Sequence, residues 1–283
     1  MRLFSAGRLL LLLCCAIGVA VAESPPQRIV SLAPSATESL FALGLGESVV
    51  GVSTYCDHPP EVRKIERVGT FLVPNVERIL ERRPDVIVAV PSPGNQTPVE
   101  SLRRLGLRVV VINPDSVTEI EAALRVLGKE LGRAEAAERL VASMREQIES
   151  VRKRVAGRPP RRVLMVVGHT PLVAAGKGSY ADELIALAGG VNVAGAAGGG
   201  WPHLSVEFPL TAAPEVIVDT SMGNEEMTSD AAALEYWSRF PTIPAVRERR
   251  IHGAGAYVLL HPGPRIGEAL TALARFIHPE AFE

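Results

Sequence analysis

Residues 76–88 read Val76-Glu77-Arg78-Ile79-Leu80-Glu81-Arg82-Arg83-Pro84-Asp85-Val86-Ile87-Val88, and residues 206–218 read Val206-Glu207-Phe208-Pro209-Leu210-Thr211-Ala212-Ala213-Pro214-Glu215-Val216-Ile217-Val218. The two stretches align without gaps at an offset of 130, with seven of thirteen positions identical. Each is a short helical pattern stopped before a proline and followed by an apolar run of strand length. Leu40-Phe41-Ala42-Leu43 also matches Leu184-Ile185-Ala186-Leu187, at an offset of 144 because the second segment has a longer loop after its first strand. Two matches in the same order favour duplication, and so two similar α/β lobes.

Working outward, residues 28–33 read as a buried strand. Ser35-Ala36-Thr37-Glu38 fits a capping box opening a helix that stops at Gly44. Residues 49–53 form a second strand, 75–83 a short helix and 85–90 a strand; Thr97-Pro98 starts a helix with proline at its first position, and 108–112 close the lobe. From 116 to 156 helix formers dominate, broken once near Gly132. Val141, Met144, Ile148, Val151 and Val155 recur at spacings of three and four, which predicts an amphipathic helix over 134–156. It would be a stiff strut about 35 Å long. Strand–helix alternation resumes at Arg162.

The expected organisation is a leader over 1–22, an N-terminal α/β lobe over 23–115, a linker with the backbone helix over 116–160 and a C-terminal α/β lobe over 161–283. Both lobes would be three-layered with parallel-rich sheets. Open α/β sheets bind ligands beyond the carboxyl ends of their strands, so both lobes would present those loops to a shared cleft.

Length and composition allow this: 283 residues, 47% hydrophobic and 22% charged, exclude disorder, collagen and a coiled-coil rod. Thirty Lys plus Arg against thirty-one Asp plus Glu, with no long run of one sign, give no reason to expect nucleic acid or an anionic membrane surface as partner. Arg2 and Arg8, the apolar run 9–21 and Ala20-Val21-Ala22 read as a secretory signal peptide cleaved after Ala22. The run is short for a membrane span. Cys14 and Cys15 lie where lipid could be attached, but Leu13 and Cys14 precede them where a small residue is wanted. The mature chain would keep only Cys56, so no internal disulfide forms and the core must stabilise the fold.

The sequence has no nucleophile elbow, phosphate loop, H-E-x-x-H or C-x-x-C motif. The glycine-rich run 194–200 reads as a flexible loop delivering Trp201 to the cleft. His58, His169, His203, His252, His261 and His278 are scattered singly, without short ligand spacing. His58, His169, His203 and His261 fall in cleft-side loops, where one axial ligand to a metal macrocycle fits better than several gathering one zinc or manganese ion; solvated loop histidines are the plainer alternative. Among 7 Phe, 4 Tyr and 2 Trp, four rings leave the core pattern for loops: Tyr55, Phe71, Trp201 and Tyr257. Flat rings on rigid loops suit a large planar ligand, each burying about 150–250 Å² when covered, although any one could instead cap its own lobe.

At these residues the chain resembles the periplasmic binding proteins of the iron-chelate, haem and vitamin B12 ABC importers, and within them the cobalamin-binding branch. The resemblance spans residues 28–277. It rests on Arg28-Ile29-Val30-Ser31-Leu32-Ala33-Pro34-Ser35-Ala36-Thr37-Glu38, Val50-Gly51-Val52-Ser53-Thr54-Tyr55-Cys56-Asp57-His58-Pro59-Pro60, Asn75-Val76-Glu77-Arg78-Ile79 and Trp201-Pro202-His203-Leu204-Ser205-Val206-Glu207. It implies a monomer of two lobes bridged by a backbone helix, small hinge motion, delivery to a permease dimer with its ATPase, and neither catalysis nor cofactor. Tyr55, Phe71 and Trp201 would line the corrin pocket, Phe71 replacing a tryptophan usual in that branch. Glu77 and Glu207 match two docking carboxylates, one per lobe, that would meet arginines on two permease subunits. The internal repeat agrees, since a pseudo-twofold pair of charges suits a twofold partner. Helix dipoles would favour each Glu alone, but not their matching.

The departures concern the pocket. Val90 and Val173 fall where the branch often has aromatics, and Tyr257 and His261 where it can offer Arg and Asp. The resemblance therefore implies a corrinoid, cobalamin first, with another cobamide, haem or a ferric chelate as alternatives and a zinc or manganese binder further off. For haem, Tyr55, His58, His169 and His261 are the candidate axial ligands.

Overall fold

The computed structural model describes residues 26–221, 229–253 and 256–283. The leader expected over 1–22 lies outside them. β1 (Ile29–Ser31), β2 (Val49–Val52), β3 (Val86–Ala89) and β4 (Val109–Val111) form a wholly parallel sheet in the order β2-β1-β3-β4. Every residue of β1 and β3 is buried, because helices cover both faces and the strands can be apolar without alternation. α1 (Pro34–Ala42), α2 (Val76–Glu81) and α3 (Gln96–Arg104) lie between them in sequence.

α4 (Val117–Glu130) and α5 (Ala134–Val155) then lead to a second sheet. There β5 (Arg161–His169) has β7 (Gly190–Asn192) and β9 (Val216–Asp219) as parallel neighbours, with β10 (Ile251–His252) parallel outside β9. β6 (Leu172–Ala174) and β8 (His203–Leu204) extend the far half of β5 with antiparallel pairing. The helices of this half are α6 (Tyr180–Leu187), α7 (Phe208–Ala212), α8 (Asp230–Ser238), α9 (Pro244–Arg247) and α10 (Ile266–Ile277).

Setting the antiparallel pair aside, β7-β5-β9-β10 reproduces the order β2-β1-β3-β4. The offset of 130 carries β3 residue for residue onto β9. It holds in backbone detail. Arg83 and Ala213, each just before the repeated proline, both take left-handed conformations, with φ of +46° and +42°. The Asp85 carboxylate accepts the N–H groups of Gln27 and Arg28 at 3.0 Å, and Glu215 accepts that of Arg162 at 2.8 Å. The Arg28 guanidinium donates to the Arg82 carbonyl, and that of Arg162 to the Ala212 carbonyl. Each lobe thus clasps the start of its first strand to the turn before the equivalent strands β3 and β9.

Two local expectations change. No capping box forms at Ser35: α1 starts two residues earlier, on Pro34, Ala33 is its N-cap without a side-chain bond, and Glu38 turns inward to partners in the other lobe. α3 starts at Gln96, so Pro98 is its third residue, still within the first turn where backbone N–H groups lack helical acceptors.

The backbone helix is present as α5, 22 residues long. It is one arm of a hairpin with α4, whose Ser116 cap accepts the Glu119 N–H. The hairpin belongs to both cores. Ala123, Leu127, Leu131 and Ala137 pack with the N-terminal sheet, whereas Val117, Ile120, Leu124, Val141, Met144, Ile148, Val151 and Val155 pack with the C-terminal one. The buried Glu121 carboxylate ties the arms together by bonding Arg125 and Arg145. Those two guanidiniums, Arg145 foremost, outweigh the effect of burial and hold Glu121 below the usual carboxylate range. α10 closes against α5, and at Gly267 a Cβ would meet the Gln147 side chain, so the crossing requires glycine.

Candidate binding cleft

The carboxyl edges of the two sheets face each other, as the contact between α1 and the segment after β10 shows. α1 leaves the carboxyl end of β1, and its Glu38 accepts a bidentate bond from Arg265 (Nε 2.8 Å, Nη2 2.7 Å) and another from His261 Nδ1 (2.7 Å), on the segment following β10. Within the C-terminal core, the first N–H of α4 donates to the Glu183 carboxylate in α6 at 2.8 Å. Glu38 and His261 are only 3% and 6% exposed. Burial pushes the Glu38 carboxyl up, but the bonds and charges of Arg265 and His261 prevail and hold it below the ordinary range.

On the N-terminal side, β2 runs into the turn that displays Tyr55, 58% exposed. That turn is fixed from beneath. The buried Cys56 thiol lies 3.1 Å from the Thr37 hydroxyl and 3.0 Å from that of Ser53, and burial raises its pKa. Arg67 donates to the carbonyls of Ser53 and Cys56. Thr54 binds the Gly69 carbonyl through both its N–H and its hydroxyl. Gly69 has a φ of +107°, and a Cβ there would sit 2.5 Å from the Asn75 nitrogen. The next turn places Phe71 half-buried against the N-terminal core with Val90. Asn95, 1% exposed, donates to the carbonyls of both Phe71 and Val90 and accepts the Ser92 N–H. Rings and loops are therefore held by Arg67 and Asn95, neither of which a local motif singles out.

On the C-terminal side Trp201 is 39% exposed, its ring edge-on to Tyr180 at 5.7 Å. Tyr180 is buried and donates to the Leu259 carbonyl at 2.8 Å; burial pushes its hydroxyl pKa up. The glycine run before Trp201, expected to be flexible, is zipped to residues 176–177: Gly176 donates to Gly200, Lys177 to Gly198, and Gly200 back to Lys177. Positive φ at Gly198 and Gly200 makes this geometry accessible to glycine.

His169 ends β5 beside Asp219, which ends β9. Its Nε2 lies 2.7 Å from Asp219 Oδ2, and the same oxygen accepts Trp237 Nε1–H at 2.8 Å. Burial raises Asp219, but the bond and charge of His169, the Trp237 bond and the Ser221 N–H together hold it below the usual range. An ionised carboxylate only accepts, so Nε2 carries the proton of this bond and Nδ1 is the ring nitrogen left for another partner. Tyr236 stacks on the imidazole at 3.6 Å, and the Arg239 guanidinium lies 3.8 Å over Tyr236.

The remaining candidates are distributed. His261 is drawn into the Glu38 contact. Tyr257 belongs to the 3-10 turn Ala256–Leu260, its side chain outside the described part. His58 is half-buried before the cis peptide to Pro59, and His203 is exposed in β8. Glu77 lies in the first turn of α2 behind the Asn75 cap, and Glu207 immediately precedes α7; both are exposed. Two surface hollows lie elsewhere, one of about 500 Å³ between α5 and α10 and one of about 470 Å³ beside α7. Among the described residues no group of three metal-ligating side chains gathers, and no helix is long and apolar enough to cross a membrane.

Two duplicated α/β lobes, joined through a shared helical hairpin and opposed at their strand carboxyl ends, define a bilobal ligand-binding protein. The Periplasmic binding protein family model matches residues 29–258, and the chain belongs to that family. It is 32% identical over 241 residues to the vitamin B12-binding protein of Pectobacterium atrosepticum, covering 83% of each. Among solved structures, the periplasmic haem-binding protein of a Roseiflexus species in apo form superposes with a TM-score of 0.80 at 31% identity, covering 90% of this chain and 99% of that one. The periplasmic vitamin B12-binding protein of Vibrio cholerae gives 0.78 at 28% identity, covering 92% and 99%.

Proposed function

We propose that the protein captures a corrinoid, cobalamin first, in the periplasm and hands it to an ABC permease dimer. The observation that carries this is the pair of exposed rings, Tyr55 and Trp201, set on hydrogen-bonded loops at the carboxyl edges of opposite lobes. Rigid flat side chains bury a macrocycle at little entropic cost. The likeness to vitamin B12-binding proteins supports the same ligand. Phe71 and Tyr257 extend the lining, and Val90 and Val173 leave it less aromatic. The site binds and releases without a chemical step, so the macrocycle is cargo. The leader would be removed after Ala22, leaving a monomer whose Glu77 and Glu207 meet arginines on the two permease subunits.

One observation favours haem as the second reading: Asp219 holds His169 in the tautomer whose other nitrogen can ligate a metal, the arrangement a carboxylate imposes on metal-binding imidazoles. Gel filtration of mature protein mixed with cyanocobalamin or haemin decides between them. Retained cobalamin is expected; its absence, together with a Soret shift lost in His169→Ala, Tyr55→Phe or His261→Ala, would establish haem instead.

A further inference from the structure

The repeat retains more than the two carboxylates. Over the helical part of the two copies, residues 76–83 and 206–213, only three positions are identical: Val76 with Val206, Glu77 with Glu207, and Leu80 with Leu210. Packing does not account for the leucine. The buried residue of α2 is Ile79, and that of α7 is Pro209. Leu80 and Leu210 instead face solvent at 40% and 42% exposure, so duplicated helices that diverge at the core position agree at an exposed one. Leucine follows glutamate at i+3, which sets the two on one face of α2; in the second copy Glu207 is the N-cap of α7, and its carbonyl accepts the Leu210 N–H at 2.9 Å.

We infer that Leu80 and Leu210 are the apolar half of the permease-docking surface, each entering a hydrophobic recess beside the cation that receives Glu77 or Glu207. The inference rests on the docking role proposed for those carboxylates. Its support is the repetition itself. Two equal acid–leucine pairs, one per lobe on equivalent helices, match two identical subunits, and a solvated carboxylate gives steering and register while a desolvated leucine slows dissociation. The surroundings differ in size: exposed Leu72 and Val73 precede α2, whereas exposed Val206 and the hollow lined by Val191, Val193 and Phe208 adjoin α7. The common element is therefore the leucine.

The test uses mature protein and the permease–ATPase of the source organism's cobalamin importer in nanodiscs. Complex affinity is measured for wild type, Leu80→Ser, Leu210→Ser, the double leucine variant, Glu77→Arg/Glu207→Arg and Leu105→Ser, the last altering a leucine that is 59% exposed and has no counterpart in the repeat. Each docking leucine variant should weaken the complex roughly tenfold. That loss should persist at high salt, whereas the wild-type advantage over the charge-reversed protein should shrink there. Leu105→Ser, cobalamin affinity and thermal midpoint should be unchanged. If charge reversal abolishes docking and the double leucine variant binds like wild type, the leucine role is overturned and the carboxylate role stands. If neither matters, both fall. Sedimentation showing that the leucine substitutions dissolve a homodimer would assign the patch to a second copy of this chain and likewise overturn the inference.

Discussion

Glu38 Oε1 lies 2.7 Å from Nδ1 of His261, although 223 residues separate them in the chain. With Arg265 bound to the same carboxylate, the contact joins the two lobes by charge-assisted hydrogen bonds in a buried setting. Removing the carboxylate leaves two donors without their acceptor. Glu38→Ala is expected to lower unfolding free energy by on the order of 3 kcal/mol, read from urea titration at neutral pH.

The same group sets a pH limb. Its folded pKa lies below the ordinary value, so its stabilisation is complete above the unfolded carboxyl pKa and is lost as pH falls through the lower folded one. The stability gap between wild type and Glu38→Gln should therefore be widest near neutrality and shrink below about pH 4. A gap that stayed constant to acid would show that the ion pair is not what the substitution removes.

The two tryptophans differ in access. Trp237 is 1% exposed and Trp201 39%. Iodide should quench only Trp201, and cobalamin should protect it. Trp201→Phe removes both effects, while Trp201→Ala and Tyr55→Ala each weaken cobalamin binding about tenfold by calorimetry.

Asp219→Asn exchanges a charged acceptor for a neutral one beneath His169 and Trp237. Stability should fall by about 1–3 kcal/mol. Haem affinity, if present, should fall further than cobalamin affinity, since only an axial bond depends on how the imidazole is held.

Gly69→Ala forces a Cβ against the Asn75 nitrogen at a φ of +107°. A loss of more than about 1 kcal/mol is expected. Because the turn carries Phe71 at one end and the Asn75 cap of α2 at the other, cobalamin affinity and docking should weaken together.

Much of the architecture was legible because it repeats. Val86 to Val88 and Val216 to Val218 announce equivalent strands, and Pro84 and Pro214 mark where each preceding helix must stop. The loop rings Tyr55 and Trp201 stood out because no core periodicity claimed them. Long-range polar bonds were not legible. Glu38 looked like a capping-box residue since the local pattern S-x-x-E fits one, yet its partners come from beyond residue 260. Asn95 and Asp219 carry no motif; their importance follows from which carbonyls and rings the folded loops bring within reach. The glycine run read as flexible since glycine is permissive, and strand-like pairing to residues 176–177 overrides that freedom.

The hairpin of α4 and α5 also bears on how far the two lobes can move apart. A joint made of loop swings freely, but this one is made of interior: Leu124 is seated in one core and Leu127, less than a helical turn away, in the other. Spreading the jaws would pull apart close-packed side chains, a stiff spring with its energy minimum near a single jaw angle. For a ligand held between the lobes, the two gripping faces would stand near their working spacing before it arrives, so little ordering cost would fall on binding.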